Sequence, residues 1–494
     1  MFRAQQLMPV DRTRLLHPAW TLALPLLALT AVLSCPPERR LTTVLVSASV
    51  FAFMQWLLPR CGFRTDHYFS PVNLALLLLL VKSVIAPILV MAVGARNELF
   101  VGVPSRESME GAILIDSIAY VAFCLGVVFT PQGRMGRPPS SMIDALSETP
   151  GSAFVMVFAV LGLLGFVLTF GSPGRIVEYF LEPSTVTQLQ QEHEGNWSGF
   201  LGIVLRPFLA FALVAWWARA VDRPGRRTSP WRPIFIGAVA AIGITIANLT
   251  FSFNRAAFVF PVISLVAVYS ARIRRISPLV TASALAILLP VLFAIGNYRA
   301  NMLAGAAAPD AAGAFQSSLR DASEMVQAYA GGPPLAGLFL HEMGWGDHLY
   351  GGSTLVASAL SPIPILGKSF RESSGSALYN RTLYGMPDYE DQIIPFSAEL
   401  FVNFHAAGVV AGFFALGLLL GRAQLWFAAV GSSFGAFAIQ YVFMWGATLA
   451  VWSLSVFSQI AIYFLAPIYL YWAAVQTRAW LRGMRFHRAA ISFP

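Results

Sequence analysis

Ionisable side chains are sparse in this 494-residue chain, where Asp, Glu, Lys and Arg make up 12%, so each one set among apolar neighbours is a candidate for chemistry. Glu399 stands in Phe396-Ser397-Ala398-Glu399-Leu400-Phe401-Val402-Asn403-Phe404-His405. A poorly hydrated carboxylate in such a setting can act as general base toward an attacking hydroxyl. His405, about a turn and a half further on, is an alternative base or a helix–helix hydrogen bonder. The pairs His341-Glu342 and Asp347-His348, flanking Gly344-Trp345-Gly346, are candidates for the same task, with His341 second in line after Glu399. Each histidine also has a purely structural reading.

Fixed positive charge is the complementary need. Arg255 follows Asn254 at the start of an apolar run, where a guanidinium can grip phosphate oxygens in bidentate fashion and a helix N-terminus adds donors. Arg299, in Gly296-Asn297-Tyr298-Arg299, has the same reading, and both have the alternative of an interfacial anchor. Arg371 and Arg381 bracket Glu372-Ser373-Ser374-Gly375-Ser376-Ala377-Leu378-Tyr379-Asn380, whose backbone and hydroxyl donors suit sugar or phosphate, although any flexible loop has this composition. Arg206, Asp116 and Lys82 lie inside apolar runs; Asp116 and Lys82 can equally be a buried ion pair between neighbouring helices. Tyr298, Trp345, Tyr350, Tyr379, Tyr384 and Tyr389 could stack on sugar faces. The three cysteines, Cys35, Cys61 and Cys124, are scattered and have no histidine at ligand spacing, so neither a metal site nor a disulfide framework is expected.

The elements that must position these groups follow from composition. With 57% hydrophobic residues and a mean hydropathy of +0.66, the chain is an all-α polytopic membrane protein and not a soluble globule. Its net charge of +9 is carried mostly by Arg in short inter-helix loops, which speaks for membrane topology and against nucleic-acid binding. Apolar runs long enough to cross a bilayer occur at 18–35, 41–59, 71–94, 111–129, 152–170, 199–219, 233–251, 256–271, 278–296, 396–421, 424–447 and 453–476. This predicts about 12 transmembrane helices: nine in 1–296, then the polar stretch 297–395, then three in 396–494 with a basic tail.

With the N-terminus inside, the basic loops 60–70, 130–151, 220–232 and 272–277 and the tail with Arg478, Arg482, Arg485 and Arg488 all fall on the cytoplasmic side; Arg39 and Arg40 are the exception. Both termini are then cytoplasmic and 297–395 is one large extracytoplasmic loop. That loop holds five Lys/Arg and nine Asp/Glu in an otherwise basic chain. Within it, Phe315, Leu319, Met325, Val326 and Tyr329 recur at near-helical spacing up to the stop Gly331-Gly332-Pro333-Pro334, and a second helix starts at Ser353-Thr354. The segment 172–198 reads as a short amphipathic helix at the membrane surface.

From Ile393 to Gly421 the sequence IIPFSAELFVNFHAAGVVAGFFALGLLLG resembles the segment that follows the large external loop in bacterial oligosaccharide repeat-unit polymerases, the Wzy-type O-antigen and exopolysaccharide polymerases. Their run of Pro-Ser/Phe, Gly/Ala-Glu, aromatic, Asn-Phe and Gly is matched here, except that His405 stands where Gly or Tyr is more usual. Asn254-Arg255 at the start of a span, and the late position of the large loop, are similar too. The resemblance implies an inner-membrane glycosyltransferase of the GT-C class. A glycan on undecaprenyl diphosphate would pass to the non-reducing end of another lipid-linked repeat unit, with a chain-length regulator protein as a further partner. On that reading Arg255, Arg299, Arg371 and Arg381 offset the charge of the departing diphosphate, Glu399 or His341 is the base, and Arg206, Asp116, His405 and Tyr379 are accessory. Transfer is expected to need no cofactor and no metal. Rival readings are an O-antigen ligase or another GT-C enzyme using a lipid-linked sugar, and a polysaccharide or lipid transporter or flippase; half-symmetry and a charged central path, the usual marks of a transporter, are not visible.

Overall fold

The computed structural model describes residues 17–63, 68–95, 104–130, 146–181, 197–222, 231–250, 255–277, 330–363, 366–386 and 394–491, with isolated positions between these stretches. All regular structure among them is helical. A bilayer offers no partner to backbone groups, so each apolar segment must satisfy its own. The helices are α1 (His17–Ser34), α2 (Thr43–Arg60), α3 (Pro71–Val93), α4 (Arg106–Val128), α5 (Ser152–Phe170), α6 (Pro173–Leu181), α7 (Trp197–Leu205), α8 (Pro207–Asp222), α9 (Trp231–Leu249) and α10 (Arg255–Arg272). After them come α11 (Pro333–Glu342), α12 (Ser353–Leu360), α13 (Leu366–Arg371), α14 (Gly375–Tyr384), α15 (Phe396–Ala429), α16 (Ser433–Ala447), α17 (Leu454–Tyr463) and α18 (Ala466–Ile491).

Among the described residues eight helical spans, α7 and α8 together forming one of them, are long and apolar enough to cross a membrane, or nine if α17 and the first part of α18, bent by 56°, form one span. The shorter apolar stretches Ala23–Ser34 and Val259–Arg272 belong to α1 and α10. The run at 278–296 lies largely outside the described residues, as does most of the helix expected over 315–329.

Close approach rests on glycine. Gly126 of α4 sits against the Phe414 carbonyl of α15, and Gly417 of α15 sits against the Phe123 carbonyl of α4, so a Cβ at either position would overlap the facing backbone. Gly162 and Gly165 of α5 do the same against Leu209 and Arg206. Small residues at such crossings let backbones come together where no water-driven force operates between helices. α16 is the enclosed centre, buried everywhere except at Val442. By contrast, α5 leaves Met156, Val160, Leu163 and Val167 exposed and α9 leaves Phe235, Ile242 and Ile246 exposed, the outward apolar faces of a lipid-embedded bundle.

Two boundaries differ from the sequence reading. A break between spans was expected at 422–423, whereas α15 continues through these residues to Ala429 and the chain turns at 430–432. Nothing at Arg422-Ala423 stops a helix, while the Ser432 side chain accepts from Gly435 N and caps α16. The Gly-Gly-Pro-Pro run, expected only to stop a helix, starts one: α11 begins at Pro333, where the missing N–H is not needed.

α15 carries the geometry that matters most. Its 34 residues would reach about 51 Å if straight, well beyond a hydrocarbon core of about 30 Å. It is bent at Phe404 (φ −144°, ψ 17°) and His405 (φ 54°, ψ −155°) into a short arm, 396–403, and a long arm, 406–429. The long arm, at about 36 Å, suffices to cross. The short arm turns aside and lies among the helices of the polar segment.

At one end of the bundle the start of α5, the ends of α8 and α10 and the start of α16 come together. At that end Asp222 accepts from Ser433 N (2.9 Å), Ser433 Oγ (2.6 Å) and Thr149 Oγ1 (2.8 Å), while Arg272 donates to the Gly431 carbonyl (2.7 Å). At the other end Thr42 N donates to Glu110 (2.9 Å), Gln327 donates to the Gly94 carbonyl (3.4 Å), and α11 packs on α4 through Gly337 against Ser108.

Candidate functional site

The short arm of α15 places Glu399 where three other helices end. Its carboxylate is fully buried, at 0% exposure. Oε1 accepts from Ser358 Oγ on α12 at 2.6 Å, and Oε2 accepts from Leu454 N, the first residue of α17, at 3.2 Å. Gly375 N, the first residue of α14, donates to the same Ser358 Oγ at 3.0 Å. A Cβ on Gly375 would overlap Oε1, so this position needs glycine. The N-terminal ends of α14 and α17 therefore both lie at the carboxylate, and their first-turn N–H groups and dipoles favour negative charge there. Hydroxyls tie the two starts together: Ser376 Oγ lies 2.7 Å from Ser455 Oγ, which lies 2.8 Å from Ser453 Oγ, the cap of α17.

One turn along, Asn403 does for the backbone what Glu399 does for the helix ends. Its Nδ2 donates to Thr354 Oγ1 (2.6 Å) and to the Glu399 carbonyl (2.7 Å), and its Oδ1 accepts from Gly352 N (2.9 Å). Tyr350 N donates to the Val402 carbonyl (3.1 Å). The loop 344–352 is thus fastened to the bend of α15.

Two residues before Glu399, Ser397 belongs to a second buried network. Lys82 Nζ is 2.9 Å from Asp116 Oδ1 and donates to Ser397 Oγ at 2.7 Å, and Ser397 Oγ donates to Asp116 Oδ1 at 2.7 Å. Lys82, Asp116 and Ser397 are exposed by 0%, 2% and 0%. The ion-pair reading of Lys82 and Asp116 is the one the geometry carries, and it joins α3, α4 and α15. Lys82 sits in a π-helical turn, Val81–Ile85, inside α3, a local widening that is frequent at functional positions.

The remaining candidates are dispersed. His341 and Glu342 are exposed at the end of α11, and Asp347 and His348 are exposed on the loop that follows. Arg371 and Arg381 are exposed at the end of α13 and on α14. Arg255 opens α10, and Arg299 lies outside the described residues. Arg206 is buried at the break between α7 and α8, where it donates to the Thr250 carbonyl at the end of α9 (2.9 Å) and faces the Phe170 ring at 5.8 Å. Tyr379 is buried against Phe339, with ring centroids 5.2 Å apart, and burial holds its phenol well above the usual range. His405 is exposed at the bend, its ring edge-on to Phe401 at 5.5 Å. Tyr298 and Tyr389 lie outside the described residues.

Among the described residues no group of three or more His, Cys, Asp or Glu is placed to hold a metal ion. Ser358, Gly375, Ser397 and the Leu454 N–H were not singled out from the sequence as partners of Glu399 or Asp116. Only the Ser/Gly-rich stretch 372–380 pointed toward them, and its Ser374 side chain, accepting from Ala377 N, caps α14 instead of leaving a loop. Searches of family models, of curated proteins and of solved structures each return no match for this chain.

Proposed function

We propose that the chain is a membrane glycosyltransferase that polymerises undecaprenyl-diphosphate-linked oligosaccharide repeat units at the outer face of a bacterial inner membrane. On this reading it has about twelve spans, with 297–395 forming a large extracytoplasmic loop over the helix ends. The observation that carries the reading is the setting of Glu399, a carboxylate enclosed by the polar segment at one end of an apolar bundle and held by a hydroxyl at 2.6 Å. Ser358 Oγ occupies the place an acceptor sugar hydroxyl would take, so α12 must draw back for substrate to enter. The non-reducing-end hydroxyl of one lipid-linked unit then attacks the anomeric carbon of the glycan on another and gives its proton to Glu399. The new C–O bond forms as the anomeric C–O bond to phosphate breaks, and undecaprenyl diphosphate leaves with the electron pair. Arg255, Arg299, Arg371 and Arg381 are the groups proposed to offset its charge.

The test is direct. Purified protein given a lipid-linked repeat unit is expected to produce a ladder of lengths without any other acceptor. Product only after a lipid A core acceptor is added would identify a ligase, and no glycosyl transfer under either condition would remove the enzyme reading.

Orientation has its own measurement. Cys61 is exposed beside the basic loop 60–70, whereas Cys35 and Cys124 are buried. A membrane-impermeant maleimide is expected to label Cys61 in inverted vesicles and not in intact cells. Labelling from outside would put the 297–395 segment in the cytoplasm and overturn the proposal.

A further inference from the structure

Two residues other than glycine have positive φ among the described residues, Trp345 (φ 51°) and His405 (φ 54°). They meet. The His405 imidazole covers Gly346 (φ 90°), whose Cβ, if present, would overlap the ring. The Trp345 ring stands edge-on to Phe401 at 6.3 Å and Phe401 edge-on to His405 at 5.5 Å. Trp345 also lies on Gly111 of α4, which has no room for a side chain. Strained non-glycine backbone persists only where its surroundings hold it, and it gathers at switches and clamps. Here each strained residue is part of what holds the other.

We infer that the loop 344–352 is a latch on a two-state hinge at 404–405: with the loop docked α15 is bent, and with the loop released α15 becomes one continuous helix. The partners support this balance. At the bend the Val402 carbonyl and the Asn403 side chain accept from Tyr350 N and Gly352 N, bonds that exist only while the loop is docked. Release gives up these bonds together with the contacts of Ser397 and Glu399 on the short arm, and recovers ordinary helical geometry at Phe404 and His405, neither of which is a helix breaker. Glycines at 344, 346, 351 and 352, all with positive φ, let the loop follow the bend without further cost. The short arm carries Glu399, so the hinge also sets whether the carboxylate stays seated between the starts of α14 and α17. The inference stands on geometry alone and does not depend on the proposed reaction.

Substitutions at one residue should move the balance in opposite directions. Glycine at 405 accepts the bent backbone freely, whereas alanine keeps the strain and favours the continuous helix. Spin labels at Leu349→Cys and Leu419→Cys, both exposed, in full-length Cys61→Ser protein in lipid nanodiscs report the distance between latch and long arm. His405→Gly is expected to raise the docked-to-released ratio and His405→Ala to lower it, the two variants differing by about tenfold or more. Gly346→Ala, which wedges a methyl against the imidazole from the loop side, is expected to shift the distribution the same way as His405→Ala. Identical distributions in wild type and all three variants, or a shift of the Gly and Ala variants in the same direction, would show a fixed bend and overturn the inference.

Discussion

Glu399→Gln is expected to abolish chain growth, a loss of about 100-fold or more if the carboxylate is the base, with the amount of folded protein in the membrane unchanged. The variant keeps the shape of the side chain and one acceptor oxygen, so Ser358 or Leu454 N retains a partner while the ability to take a proton is removed. The competing account is that Glu399 is only a keystone, fixing α12, α14 and α17 to α15. It predicts something different: losing one of two acceptor bonds costs about 1–3 kcal/mol, and activity falls only in step with folded protein. Ser358→Ala separates the two. It removes the hydroxyl that now fills the acceptor position, leaves the carboxylate, and should lower thermal stability while chain growth per folded molecule persists. Arg255→Ala is expected to resemble Glu399→Gln and not Ser358→Ala. Wild-type polymer length in both Arg255→Ala and Glu399→Gln would exclude these residues from the site.

Why Glu399 could be picked from the sequence and its partners could not is a matter of range. A carboxylate beside Leu400, Phe401 and Val402 is anomalous by itself, because burying a charge among apolar groups demands a compensating partner. The partners come from positions 41 residues before it and 55 residues after it, and one is a backbone N–H that no residue type announces. The same applies to the hinge. His405 gives no local sign that its backbone will adopt φ 54°, since only the docked loop imposes it. Spans such as 152–170 were legible because 19 residues that are almost all apolar admit one structure in a bilayer. The turn at 430–432 was missed: the lone Arg422 drew the boundary to itself, although Gly431-Ser432 stands ahead of an apolar run. The split of 372–380 into a cap and a helix fails for another reason: Ser and Gly serve loops and helix starts alike, and only the neighbouring carboxylate decides between them.

Lys82→Met is expected to be the most damaging single change to stability, because it strands Asp116, 2% exposed, with the Ser397 hydroxyl as its remaining donor in the network. Removing one partner of a buried pair costs about 3–5 kcal/mol, and Asp116→Leu should cost a similar amount by stranding Lys82. The double variant Lys82→Met, Asp116→Leu removes both charges and fills the space with apolar groups, so it is expected to recover most of the loss, as replaced buried pairs commonly do. Thermal unfolding of the purified protein at fixed detergent, followed by loss of the monodisperse form, gives the three midpoints and the coupling between the sites. Additive losses in the double variant would mean that Lys82 and Asp116 act apart, and the shared contact with Ser397 would then not be what seats the first turn of α15. Recovery of stability without recovery of chain growth carries the argument one step further. The pair's contribution would then lie in holding Ser397, and with it Glu399 two residues on, at a defined height against the starts of α14 and α17, a positional demand that methionine and leucine meet in volume but not in direction.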